Sequence, residues 1–163
     1  MDDSKSYEPV LDIENVLAIL GKISILAGLT DSQLYTLFRL LRKITYKANE
    51  VVFEQGDQPS HIYIVKKGRV KLVVWKDQVP YELAAFEEGN CFGEASVIGI
   101  QPHKGTAIAA TDTELIVFSR DALLSIYKSD KELFGILILN IAREVCRRLH
   151  ASDDILLHYL LEK

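Results

Sequence analysis

The feature that most constrains this chain is a series of short β-branched and aromatic runs set between two helical stretches. Residues 51–53, 61–66, 70–76, 81–86 and 114–118 are such runs. Turn chemistry separates them: Lys47-Ala-Asn49, Gln55-Gly-Asp-Gln-Pro59, Lys67-Gly68, Lys76-Asp77 and Glu88-Gly-Asn90. Strands this short, at this regular spacing, predict an antiparallel roll or barrel over residues 43–119. Asn49 sits in one of these turns, and asparagine tolerates left-handed backbone there.

The flanks have a different period. Residues 12–41 read as helical, with Leu11, Val16, Leu17, Ile19, Leu20 and Ile23 at helix-like spacing and Gly21 and Gly28 as punctuation. Thr30-Asp-Ser-Gln33 has the form of a capping box, followed by an apolar face of Leu34, Leu37, Phe38 and Leu41. Residues 121–160 return to a helical pattern, and Ser129-Asp-Lys-Glu132 has the form of a second capping box. A helix over 130–158 would be about 43 Å long. Along it Ile138, Ile141, Val145, Arg148, Ser152, Ile155 and Tyr159 step by three and four, a heptad-like stripe with polar members. A helix longer than its domain predicts a homodimer through this C-terminal helix. The competing reading is a core helix that ends near His150 and frays.

At 163 residues the chain is about one domain. Residues 1–10 read as a polar tail and 11–163 as a single domain. A net charge of −4 argues against a free-standing nucleic-acid binder. The start lacks a basic, apolar secretory signal, and no apolar run approaches the ~20 residues of a membrane span. The expectation is a cytoplasmic protein that engages neither membrane nor DNA. Cys91 and Cys146 have no partner at metal-like spacing and read as buried small hydrophobes. His61, His150 and His158 have no ligand-like spacing either, so no metal is assigned.

The segment Glu88-Gly-Asn-Cys-Phe-Gly-Glu-Ala-Ser-Val-Ile-Gly-Ile-Gln-Pro-His-Lys-Gly-Thr106 is the most informative for chemistry. A strand ends at Phe92, Gly93 permits a tight turn, and Glu94 opens one short helix whose free amides suit an anion. A loop through Pro102 returns to an extended stretch beginning near Thr106. This segment resembles the phosphate-binding cassette of the cyclic-nucleotide-binding domain family, which includes the bacterial catabolite activator protein and kinase regulatory subunits. Val52-Phe53-Glu-Gln-Gly-Asp57, Ile62-Tyr-Ile-Val65 followed by Gly68, and Phe92-Gly-Glu94 carry the resemblance, which extends from about Asp12 to Asp154. It implies an α+β fold: an antiparallel, jelly-roll-like β-roll flanked by N-terminal helices and a long C-terminal helix.

The resemblance also implies roles. Glu94 would accept from a ribose 2′-hydroxyl, and the Ala95 and Ser96 amides would face a cyclic phosphate. Leu72, Leu83 and Phe92 would form the apolar wall. Ser152 falls on a base-contacting position, and Asp153 follows it, although a solvated helix face explains both. Arg147 and Arg148 read as surface or seam cations. The family's phosphate-pairing arginine falls on His103, followed by Lys104, Gly105 and Thr106. Arginine is a fork of donors that is always charged, whereas histidine near pH 7 is mostly neutral. If His103 points into the cradle, alternation turns Lys104 away.

No nucleophile elbow, Walker loop or metal cluster marks an enzyme. A DNA-binding domain after the long helix finds no room before Lys163. Two readings stay open. One is a regulatory module that senses cyclic AMP or cyclic GMP at a degenerate phosphate site and signals through the long helix, to a separate effector protein. The other is a ligand-free scaffold for dimerisation or docking.

Overall fold

The structure, a computed structural model, describes residues 5–10 and 13–162. The helical region expected over 12–41 is broken up. Helix α1 spans Ile13–Ile19, single 3-10 turns follow at Leu20–Lys22 and Ser24–Leu26, and α2 spans Asp31–Phe38. Leu11 and Asp12 lie outside the described residues. The Thr30–Gln33 capping box forms in full at the start of α2. Leu37, Phe38 and Leu41 are buried as expected, with Leu34 packed against them.

Among the described residues there are nine strands: β1 Glu8–Pro9, β2 Arg42–Tyr46, β3 Val51–Phe53, β4 His61–Lys67, β5 Val70–Lys76, β6 Val79–Phe86, β7 Cys91–Phe92, β8 Thr106–Ala109 and β9 Thr113–Ser119. They form two antiparallel sheets, ordered β1-β2-β9-β4-β7 and β3-β8-β5-β6. Glu8–Pro9 pairs with Lys43 and Arg42, so the segment read above as a polar tail contributes an edge strand.

The continuous apolar runs in β4 and β9 have a physical reason. Successive side chains point to opposite faces, and here both faces are buried. Tyr63, Val65, Leu115 and Val117 point into the roll, where they meet Phe53, Phe86 and Phe92. Ile62, Ile64, Ile116 and Phe118 point outward, under the helices. Strand β2 alternates differently: Ile44 and Tyr46 face in, while Lys43 and Thr45 face out.

Helix α3 spans Glu94–Gly99, α4 Arg120–Ser129 and α5 Lys131–Leu161. The cap of α5 differs from the expected box. Asp130, not Ser129, accepts from the Leu133 amide, and the Ser129 hydroxyl closes α4 by donating to Ser125 O. At 31 residues α5 is about 46 Å long, so it does not end near His150.

Helix α5 is held by the roll and the N-terminal helices as far as Arg148. Leu133, Leu137 and Ile141 are buried in that core, with Ile138 and Val145 packed against it. Asn140 donates to Ile25 O and Ala27 O, and Glu144 accepts from the Ser24 hydroxyl. The stripe expected to run the whole length is thus a core face up to Val145 and an exposed one beyond Arg148. Leu149, Ile155, Leu156, Leu157, Tyr159 and Leu160 are all more than half exposed. Cys91 is buried, but Cys146 is exposed, contrary to expectation, because it lies on the solvent side of α5. Among the described residues no helix is long and apolar enough to cross a membrane.

Candidate functional site

A cavity of about 270 Å³ opens where the inner face of the roll, α3 and α5 meet. Two turns shape it. Gly93 has φ +81°, and a Cβ there would sit 3.0 Å from His61 O and 3.1 Å from the Tyr63 ring. Only glycine takes that turn without strain. It points Glu94 inward at the first position of α3, and no side chain caps the helix at Gly93. The second turn is the loop before β8. The Gly56 amide donates to His103 O at 2.8 Å, and the His103 amide donates to Asp57 O at 3.0 Å.

Glu94 is 1% exposed. Its Oε1 accepts from Arg148 Nη2 at 2.5 Å, while its Oε2 is buried with no partner among the described residues. Burial pushes the Glu94 carboxyl above its ordinary pKa, and the Arg148 guanidinium, with the nearby Glu94 and Ala95 amides, offsets part of that rise. Arg148 also donates to Cys91 O at 2.9 Å, and its guanidinium lies 5.5 Å from the centre of the Phe86 ring. One arginine therefore ties α5 to β7 and to the start of α3.

His103 is buried, its ring stacked on Phe53 at 3.7 Å between centroids and 12° between planes. Burial holds its pKa below the ordinary value, partly offset by Asp57. The imidazole is therefore neutral near pH 7 and presents one N–H donor.

The structure brings Gly93, Glu94, Ala95, Ser96, His103, Lys104, Leu72 and Phe92 to this cavity. Lys104 is exposed at its mouth and His103 is buried. Three expected residues are not among its lining. Leu83 is 57% exposed because a register shift pairs Leu72 with Ala84 and Val73 with Glu82, which leaves Leu83 as the extra residue of a bulge. The Thr106 hydroxyl is taken by the Gln55 amide. Ser152 lies on the exposed part of α5, its hydroxyl donating back to Arg148 O.

Arg148 corrects the sequence reading most. Read as a surface or seam cation, it is the partner of the buried carboxylate. The available signal was its place in the apolar stripe, three residues after Val145. Phe53 and Phe86 also line the cavity and were not singled out for it.

The sequence profile described as cyclic nucleotide-binding domain matches residues 43–130. A cAMP-dependent protein kinase regulatory subunit of Debaryomyces hansenii is 31% identical over 63% of this chain and 22% of its own length. A cGMP-dependent protein kinase of Eimeria tenella is 26% identical over 76% of this chain and 12% of its own. The chain thus spans less than a quarter of these curated relatives. A cyclic nucleotide-binding domain from Methylobacillus flagellatus superposes with TM-score 0.79 at 20% identity, covering 90% of this chain and 83% of that one. The Thermus thermophilus catabolite activator protein gives 0.72 at 25% identity, covering 82% and 61%. With the profile spanning the roll and the loop that carries Glu94 and His103, this chain belongs to the cyclic nucleotide-binding domain family.

Proposed function

We propose that the chain is a regulatory module that binds a cyclic nucleotide in the Glu94–His103 cavity and passes occupancy to α5 through Arg148. The supporting observation is the buried, unpartnered Oε2 of Glu94. A buried acceptor without a donor costs about 1–3 kcal/mol. A sugar hydroxyl donates to it and removes that cost, and a carboxylate flanked by a cation is an acceptor only. The cyclic phosphate then faces the first amides of α3, the Ser96 hydroxyl and the His103 N–H, with Lys104 at the mouth. The phosphate site is degenerate, because a neutral imidazole supplies no charge. A missing charge-assisted contact to a buried anion costs about 2–5 kcal/mol, so affinity is lower than with arginine.

Coupling follows from the chemistry of the pair. Arg148 bonds α5 to the roll just before the helix's exposed end. A donor arriving at Glu94 competes with or reinforces that bond, so the ligand has different affinity for different placements of α5. The exposed apolar end of α5 is the surface we assign to homodimerisation with a second copy; a separate effector protein would receive the signal.

Titration calorimetry with cyclic AMP and cyclic GMP tests the proposal, on the wild-type chain and on Glu94→Ala. Saturable binding that Glu94→Ala weakens by about tenfold or more supports it. The neutral, ring-stacked His103 favours the ligand-free scaffold as the second reading. Absence of binding of either nucleotide, by calorimetry and by equilibrium dialysis, overturns the proposal and favours that reading instead.

A further inference from the structure

A second cavity, of about 360 Å³, lies between residues 5–7 of the N-terminal segment and the β2–β3 side of the roll. It shares only Phe53 with the Glu94–His103 cavity. Its aromatic walls are Phe53, Tyr7, Tyr46 and Tyr63, with Tyr46 and Tyr63 buried. Tyr7 is fixed by stacking on His61, 4.8 Å between centroids. Three carboxylates, Glu50, Glu54 and Asp57, complete it with Lys5, the one cation among the described residues of its lining.

The position of Lys5 indicates what this arrangement holds. Its ammonium lies 4.2 Å from the centre of the Tyr46 ring, donates to Thr45 O at 2.9 Å and pairs with Glu50. A ring face, a main-chain carbonyl and a carboxylate thus converge on one ammonium. An ordinary surface ion pair has the carboxylate alone, and it is worth little. Aromatic faces attract cations through their quadrupole, and several together recognise alkylated ammonium groups. With Lys5 in place the cavity still has its 360 Å³. That is within the range of small-molecule sites.

We infer that this cavity is a second binding site, for an alkylammonium ligand: an amine with a short apolar body, whose cation joins or replaces that of Lys5 among Tyr46, Thr45 O and Glu50. The acidic lining excludes anions, so the site does not duplicate the nucleotide cavity. The apolar body lies against Phe53, Tyr63 and Tyr7. The inference does not depend on nucleotide binding.

The test uses butylammonium as probe and 1-butanol as its uncharged counterpart, followed by amide chemical shifts of the full chain. Butylammonium is expected to shift Tyr7, Tyr46, Glu50 and Tyr63 in a saturable manner, about five- to thirtyfold more tightly than 1-butanol. Lys5→Ala removes the competing ammonium and is expected to tighten butylammonium by at least about fivefold. Glu50→Gln keeps an acceptor for the Lys47 amide, which Glu50 now serves, and is expected to weaken it. Equal affinity for butylammonium and 1-butanol overturns the inference, as does a non-saturable response scattered over acidic residues. No gain with Lys5→Ala overturns it too, when the Tyr7 and His61 resonances show their stacking retained.

Discussion

Arg148→Met tests the Glu94–Arg148 pair; it also removes a weaker 3.5 Å contact with Glu144 on α5, whose carboxylate keeps its pairing with Arg147. Breaking a buried ion pair by removing one partner costs about 3–5 kcal/mol. Here Glu94 is 1% exposed but the Arg148 side chain is 35% exposed, so solvent already screens the cation and the cost falls to about 2–3 kcal/mol. Protonation sets a ceiling. Glu94 can take a proton rather than remain an unpaired buried anion. From an unfolded value of about 4.3, neutralising it costs up to about 3.7 kcal/mol at pH 7 but about 1 kcal/mol at pH 5. The sign follows from the raised folded-state pKa of Glu94, which climbs further without its cation. Stability of the variant is retained near and below the unfolded pKa and is lost as pH rises through the folded one. The bond to Cys91 O adds a pH-independent part of about 1 kcal/mol. Thermal unfolding followed by circular dichroism should therefore give a large loss at pH 7, about 5–10 °C in Tm, and a much smaller one at pH 5. Adding Glu94→Gln should recover much of the loss at pH 7. An equal loss at both pH values, or no recovery in the double variant, would refute the reasoning.

His103→Arg should raise cyclic AMP affinity about 30-fold or more, read by calorimetry; an unchanged affinity removes His103 from the phosphate contact. Gly93→Ala should cost about 1–2 kcal/mol for the left-handed backbone alone, plus displacement of Tyr63, read as a lowered urea midpoint together with weaker nucleotide binding. A wild-type midpoint would mean that the turn does not need glycine. Sedimentation equilibrium should find a dimer for the wild-type chain and a monomer for Leu156→Glu, since a charge on the exposed apolar end of α5 opposes burial against a second copy. Identical masses for the two would exclude that surface.

Much of the fold is legible in the sequence because the roll writes itself in period two and punctuation. Residues 62–65 and 115–118 are continuous apolar runs because β4 and β9 carry helices on one face and the roll interior on the other. Asn49 takes its expected left-handed conformation, with φ +70°. Strand β1 is illegible because two residues, one of them proline, carry no periodicity; its partner β2 supplies the order. The α5 cap is displaced by one residue because Ser129 and Asp130 are both capping residues, and only the end of α4 decides between them. In the site, Gly93, Glu94 and His103 are local to one segment and could be read there. Arg148 comes from 54 residues further along, and whether a helical arginine faces solvent or a buried carboxylate is a tertiary fact. Leu83 misleads for a related reason: strand alternation fails at a bulge, and the bulge appears only when β5 and β6 are paired.

The central claim is that a cyclic phosphate meets the neutral imidazole of His103. The direct measurement is the His103 pKa by NMR titration of the imidazole carbon-bound protons, without and with saturating cyclic AMP. The account predicts a value below the ordinary ~6.5 in the free protein, set by burial, and an upward move in the complex as the anion favours the imidazolium. An unchanged pKa at saturating nucleotide would contradict it.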